Sequence, residues 1–165
     1  KEWKTSSIVS INLWLDRPIT QAPFVGMIGT RIQWLFNKGA LLAPAGLSAN
    51  YLSLLISAAE GFMDRTNDEL TAMAMEDLRA CFPQASEAHL LRGQVIRERE
   101  ATVSLVTGTS QRRPPSQTPL DRFLLAGDWI QTGLPATIES AVISGRMAAE
   151  GALPLLHVED SIPSV

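Results

Sequence analysis

Apolar and polar residues alternate from Ile8 to Asp16. Val9, Ile11, Leu13 and Leu15 fall on one side, and Ser10, Asn12, Trp14 and Asp16 on the other. A period of two predicts a strand with one buried face, closed by Arg17-Pro18. Ile32, Trp34 and Phe36 repeat the alternation, and Asn37-Lys38-Gly39 supplies a turn. Asn50 to Ser57 is a nearly continuous apolar run, as expected of a central strand.

The period then changes. Thr66-Asn-Asp-Glu69 has the pattern of a capping box, in which the threonine bonds forward and the glutamate reaches back. Leu70, Met73, Ala74, Leu78 and Cys81 follow at three- and four-residue spacing. They predict one amphipathic helix that stops near Phe82-Pro83, with Cys81 in its core face. A short helix is expected from Ser86, and a long strand from Gly93 to Val106. Residues 108–119, with Gly, Ser, Thr, Gln and several prolines, read as a loop. An apolar strand over 122–127, a helix over roughly 136–152 and a frayed tail beyond Pro154 complete the chain. Strands in sequence with helices to one side argue for a mixed α/β (α+β) architecture.

Composition narrows the classes. At 165 residues, 45% of them hydrophobic and 19% charged, the chain can bury a sizeable core and is not disordered. A formal charge of −3, with no basic cluster beyond Arg112-Arg113, argues against nucleic acid as a partner. The lone Cys81 excludes an intrachain disulfide and fits a reducing, cytoplasmic compartment. No apolar run approaches the ~18 residues of a spanning helix. The chain opens Lys1-Glu-Trp-Lys-Thr without methionine or a signal peptide, and is read as a fragment of something longer.

Chemistry concentrates near the C-terminus. Phe123-Leu-Leu-Ala-Gly127-Asp128-Trp129 is followed by Thr132-Gly-Leu-Pro135-Ala-Thr137-Ile-Glu139 and by a helix rich in small residues. This order brings an acidic turn and a helix N-terminus together at the end of an expected strand. Gly127 lets a ligand approach the backbone, and Asp128 accepts from sugar or ribityl hydroxyls. Pro135 suits the first helical turn, and Thr137 can cap it. Open N–H groups near Ala136, Thr137 and Ile138 suit the electron-rich edge of a flavin ring. An ordinary strand–loop–helix unit with no ligand has the same spacing.

The fuller wording of this stretch resembles the C-terminal flavin-binding signature of the amine oxidase and phytoene desaturase superfamily. Leu125-Ala-Gly-Asp-Trp, Thr132-Gly-Leu-Pro-Ala-Thr-Ile-Glu and Ala141-Val-x-Ser-Gly carry the likeness. Leu13-Trp-Leu-Asp-Arg-Pro, Pro23-Phe-Val-Gly26, Gly29-Thr-Arg-Ile-Gln-Trp34, Phe36-Asn37 and Arg97-Glu-Arg-Glu-Ala-Thr102 extend it over most of residues 8–152. Ser140 departs from the pattern, which usually has glycine there.

The resemblance implies FAD as cofactor, with Gly127, Asp128, Leu134, Pro135, Ala136, Thr137 and Ile138 contacting it. It also implies the C-terminal part of an FAD-dependent amine oxidase-like fold. Residues 1–121 would belong to a substrate-domain sheet and its helices, 122–152 to the final flavin-contacting strand–helix unit, and 153–165 to a flexible tail. The Gly-x-Gly-x-x-Gly turn for the ADP half is absent, because Gly26-x-x-Gly29 has neither the spacing nor a following helix. An N-terminal dinucleotide-binding portion is therefore an implied partner. The implied activity is reductive dehydroxylation of a squalene-type polyisoprenoid. Carotenoid-type desaturation, and a flavin-free interaction module, are the alternatives.

Other residues carry less. Trp14, Trp34 and Phe36, with Phe24 and the aliphatic positions through Leu47, either line a path for a lipophilic isoprenoid or form ordinary core. With no spanning helix, peripheral contact with the inner face of a membrane goes with that path. His89 and His157 are isolated, so no metal site is expected. No Gly-x-Ser-x-Gly elbow surrounds Ser6, Ser57 or Ser144. Glu98 and Glu100 lie in a charged strand that reads as a solvated face.

Overall fold

The computed structural model describes residues 4–42 and 50–156. The chain's first three residues, Leu47, His157 and most of the expected tail lie outside them. Residues divide into two compact units, 5–101 and 102–156, the latter with Lys4.

The first unit is built on a five-stranded sheet. Its strands are β1 (Thr5–Leu15), β2 (Phe24–Gly26), β3 (Trp34–Asn37), β4 (Tyr51–Ser57) and β5 (Leu90–Val103), in the order β2-β3-β4-β1-β5. Pairing is antiparallel for β2–β3, β3–β4 and β1–β4, with Ile11 opposite Leu54 at the centre. The alternation in β1 is realised as read. Val9, Ile11 and Leu13 are fully buried, and Leu35, Leu54 and Ile56 join them from β3 and β4. Each such side chain stabilises the fold by about 1.5–3 kcal/mol relative to an exposed position.

One helix, α2 (Asn67–Cys81), covers that face with Leu70, Met73, Ala74 and Leu78. It follows a single-turn helix, α1 (Lys38–Leu41), which Asn37 caps by accepting the Ala40 N–H at 3.1 Å; the sequence suggests only a turn there. The capping box of α2 is present. Thr66 Oγ1 accepts the Glu69 N–H at 3.2 Å, and Glu69 Oε2 accepts the Thr66 N–H at 2.7 Å. Phe82 ends the helix in an extended conformation, as the residue before Pro83 prefers.

Four expectations need correction. Cys81 is exposed, because the buried stripe of α2 ends one turn earlier at Leu78. No helix begins at Ser86; a 3-10 turn over Pro83–Ser86 ends there instead, and β5 starts at Leu90. Residues 122–127 form no strand: Leu124 makes one isolated bridge to Gln117, and its side chain packs near Gly151. The apolar run misleads because Leu124 and Leu125 are only half-buried and Phe123 is exposed, so nothing there requires strand pairing. The last helix, α3 (Ile138–Leu156), carries Pro154 within its final turn and so runs past the expected end.

A buried carboxylate ties α2 to the segment before β3. Asp77 accepts the N–H groups of Arg31 and Ile32, both at 2.9 Å, and the Arg31 guanidinium at 3.0 and 2.6 Å. Its side chain is 7% exposed.

Candidate functional site

In the second unit, residues 113–117 act as a strut along which the acidic turn is laid. Gln131 N–H donates to the Pro114 carbonyl at 2.8 Å, Leu125 N–H to the Ser116 carbonyl at 2.8 Å, and Ser116 Oγ to the Leu125 carbonyl at 2.8 Å. The Arg113 side chain, buried among these residues, donates to the carbonyls of Asp128, Trp129 and Leu134. Leu124 and Leu125 are thus held in place by backbone and hydroxyl partners next door.

Gly127 sits at φ +149°. That value lies outside the comfortable range of a side-chain-bearing residue. A Cβ there would also lie 2.6 Å from Trp129 Cδ1, so the indole occupies the space beside Gly127. The Gly127 N–H donates to Ser144 Oγ at 2.8 Å, and Ser144 donates to the Ala141 carbonyl at 2.6 Å. Asp128 follows, half-buried; its carbonyl is held by Arg113 and Ser140, and among the described residues its carboxylate takes no partner.

Helix α3 begins where the sequence suggests. Thr137 is its cap, its Oγ1 accepting the Ser140 N–H at 3.3 Å while its carbonyl accepts the Ala141 N–H at 3.0 Å. Ile138 and Glu139 therefore keep first-turn N–H groups that no carbonyl of the helix can reach. Leu134, Pro135, Thr137 and Ile138 are exposed and Ala136 is half-buried. A cleft of about 440 Å³ is lined by Leu134, Pro135, Gly133, Gln131 and Arg113. The seven residues named for cofactor contact are thus one continuous corner: an acidic turn, a tethered loop and an open helix start.

Sequence reading missed the residues that hold this corner. Arg113, Ser116, Ser140 and Ser144 are all buried polar side chains spent on backbone groups. Ser140, the departure from the family pattern, is the one with a visible signal. Its hydroxyl accepts from Arg113 at 3.2 Å, lies 2.6 Å from Thr132 Oγ1 and donates to the Asp128 carbonyl at 3.3 Å.

In the first unit, the three residues named for substrate contact share one face. Register puts Trp14 opposite Tyr51, Phe36 opposite Ser53 and Phe24, and Trp34 opposite Leu55 and Gly26. Opposed residues of an antiparallel pair point to the same side, here away from the core. Trp14 stacks on Tyr51 with centroids 4.5 Å apart and 6° between planes, and the Arg92 guanidinium lies 4.7 Å over Trp14. Tyr51 donates its hydroxyl to Asn12 at 3.0 Å. Trp34 and Phe36 stack at 6.3 Å. These aromatics are not part of the core that α2 covers.

Among the described residues no cluster of histidine, cysteine or carboxylate side chains could hold a metal, and no helix is long and apolar enough to cross a membrane.

Comparison with known proteins gives the family. The family described as flavin containing amine oxidoreductase matches residues 1–153. Hydroxysqualene dehydroxylase of Zymomonas mobilis is 33% identical over 141 residues, which is 85% of this chain and 31% of that protein. Hydroxysqualene dehydroxylase of Sinorhizobium fredii is 31% identical, over 89% of this chain and 32% of its own length. The 15-cis-phytoene desaturase of Solanum lycopersicum is 26% identical, over 87% of this chain and 26% of its own. The chain thus spans about a third of the length of these relatives. A match over nearly the whole chain places it plainly: the chain belongs to the flavin-containing amine oxidoreductase family.

Proposed function

We propose that these residues form the C-terminal, flavin-contacting part of an FAD-dependent oxidoreductase that removes the hydroxyl of hydroxysqualene to give squalene. The observation that carries the reading is the corner itself. An Asp128 carboxylate without a partner among the described residues and the unspent first-turn N–H groups of α3 stand at the two ends of one tethered loop.

FAD is the cofactor that family membership implies, and the donor set fits its flavin half. Ribityl hydroxyls need an acceptor, which Asp128 offers. The ring's carbonyl edge needs donors, which the open N–H groups at the start of α3 offer. The helix N-terminus favours negative charge on the ring by about 0.3–1 kcal/mol. When bound, FAD supplies the hydride chemistry of the reaction. Leu134 and Pro135 would pack against its apolar face and exclude water.

A greasy wall suits a polyisoprenoid. Burial stabilises such a chain by about 0.8 kcal/mol per methylene, with few polar contacts needed. The aromatic sheet face with Trp14, Trp34 and Phe36 supports this part of the reading. Phe24, 57% exposed, and Ile28, 95% exposed, would in addition let the protein rest on a membrane surface from which the substrate enters.

Phytoene desaturases also match, so the second reading is desaturation of a carotenoid precursor with the same corner. Turnover of both substrates by the complete enzyme separates the two. Loss of hydroxyl from hydroxysqualene supports the proposal, and turnover of phytoene alone replaces it with desaturation. Inactivity on both, with no flavin bound, leaves a flavin-free interaction module. Flotation with liposomes in the same preparation tests the membrane contact.

A further inference from the structure

The second unit buries a charged side chain. Arg113 is 5% exposed, yet among the described residues every hydrogen-bond partner of its guanidinium is neutral. Nε donates to the Trp129 carbonyl at 3.1 Å, one terminal nitrogen to the Leu134 carbonyl, and the other to the Asp128 carbonyl and to Ser140 Oγ at 3.2 Å. A buried cation without a counter-ion is costly, and carbonyl dipoles offset only part of that cost. The partners lie at both ends of the loop from Asp128 to Leu134 and in the first turn of α3. One planar fork therefore fixes the acidic turn, the residue before Pro135 and the helix start relative to each other.

We propose that Arg113, assisted by Ser140, is a positioning residue for the cofactor: it holds the Asp128–Leu134 loop and the start of α3 together in their flavin-binding shape. The inference rests on the reading of residues 127–138 as the flavin contact. Ser140 matters because its hydroxyl completes the fork's set of acceptors while reaching the Asp128 carbonyl from the helix side. Glycine, usual at this position in the family, could not do so. Lysine in place of Arg113 would keep the charge, but a single ammonium cannot span three carbonyls and a hydroxyl in one plane.

The test compares Arg113→Lys, Arg113→Met and Ser140→Ala with the parent, each in the complete enzyme. Three quantities are measured: the dissociation constant for FAD, the fine structure of the visible flavin band, and the Tm of the apoprotein. Both Arg113 variants are expected to weaken FAD binding at least tenfold and to blur the band, with lysine giving no rescue. Ser140→Ala is expected to weaken binding severalfold and to lower the Tm by a few degrees, since it strips a hydroxyl from buried partners. A lowered Tm with parental affinity and spectrum would reduce Arg113 to a purely structural role and overturn the proposal. If the Arg113 variants do not fold, Ser140→Ala decides: parental affinity and spectrum overturn the proposal. A parent enzyme that binds no FAD would instead overturn the flavin reading on which the proposal stands.

Discussion

Ser144 Oγ accepts the backbone N–H of Gly127 at 2.8 Å, and so fastens the turn before Asp128 to the second turn of α3. The same hydroxyl donates to the Ala141 carbonyl, which orients its lone pairs toward the glycine. Alanine at 144 would leave the Gly127 N–H without its acceptor. Ser144→Ala is expected to destabilise the protein by about 1–2 kcal/mol and to lower flavin retention in the complete enzyme. Thermal unfolding and bound flavin per protein check it. Unchanged values for both would mean that the tether is idle.

Asp77 is the corresponding pin in the first unit. Replacing it with alanine removes the acceptor of two backbone N–H groups and one of the two carboxylates paired with Arg31, Glu76 at 2.9 Å being the other. Arg31 is 40% exposed and can recover water, which tempers the loss. The expected cost is about 2–4 kcal/mol, read as a shift in the urea midpoint with the m-value kept. A shift under about 0.5 kcal/mol would contradict the anchoring role.

Three exposed carboxylates give the fold an acid limit. The Ser7 backbone N–H holds Glu60 below its ordinary carboxyl range, the Thr66 backbone N–H does so for Glu69, and the His89 backbone N–H for Asp16. A carboxyl held below its unfolded value contributes stability that is fully present above that value. The contribution is lost as pH falls through the lower, folded value. Stability should therefore be level near neutral pH and decline as the pH drops through and below about 4.5, the ordinary value for glutamate. Glu69→Gln should flatten part of that decline. Urea midpoints between neutral pH and pH ~3 check this; a decline equally steep in the variant would remove Glu69 from the account.

Legibility in the sequence followed the locality of the interactions. β1, β4 and α2 could be read because alternation, an apolar run and a capping box are written in adjacent residues. β2, three residues long, has no period to detect; it exists because β3 pairs with it. The supposed strand at 122–127 misled because Phe123-Leu-Leu-Ala is apolar, whereas its backbone partners sit at Ser116 and Gln117 in a stretch without periodicity. In the corner, the residues that would face a ligand were visible as a motif. Those that shape it, Arg113 and Ser144 above all, were not, since a buried arginine bound to carbonyls leaves no spacing rule behind.

The central claim is that this corner holds flavin, and Asp128 tests it most directly. Its carboxylate takes no partner among the described residues, so its loss should spare the fold. Asp128→Ala in the complete enzyme is expected to forfeit a charged hydrogen bond of about 1.5–3 kcal/mol, roughly ten- to a hundredfold in FAD affinity. The apoprotein should melt within a few degrees of the parent. Bound flavin per protein, measured after purification beside that melting curve, should fall to a small fraction. Full flavin occupancy in Asp128→Ala would contradict the account.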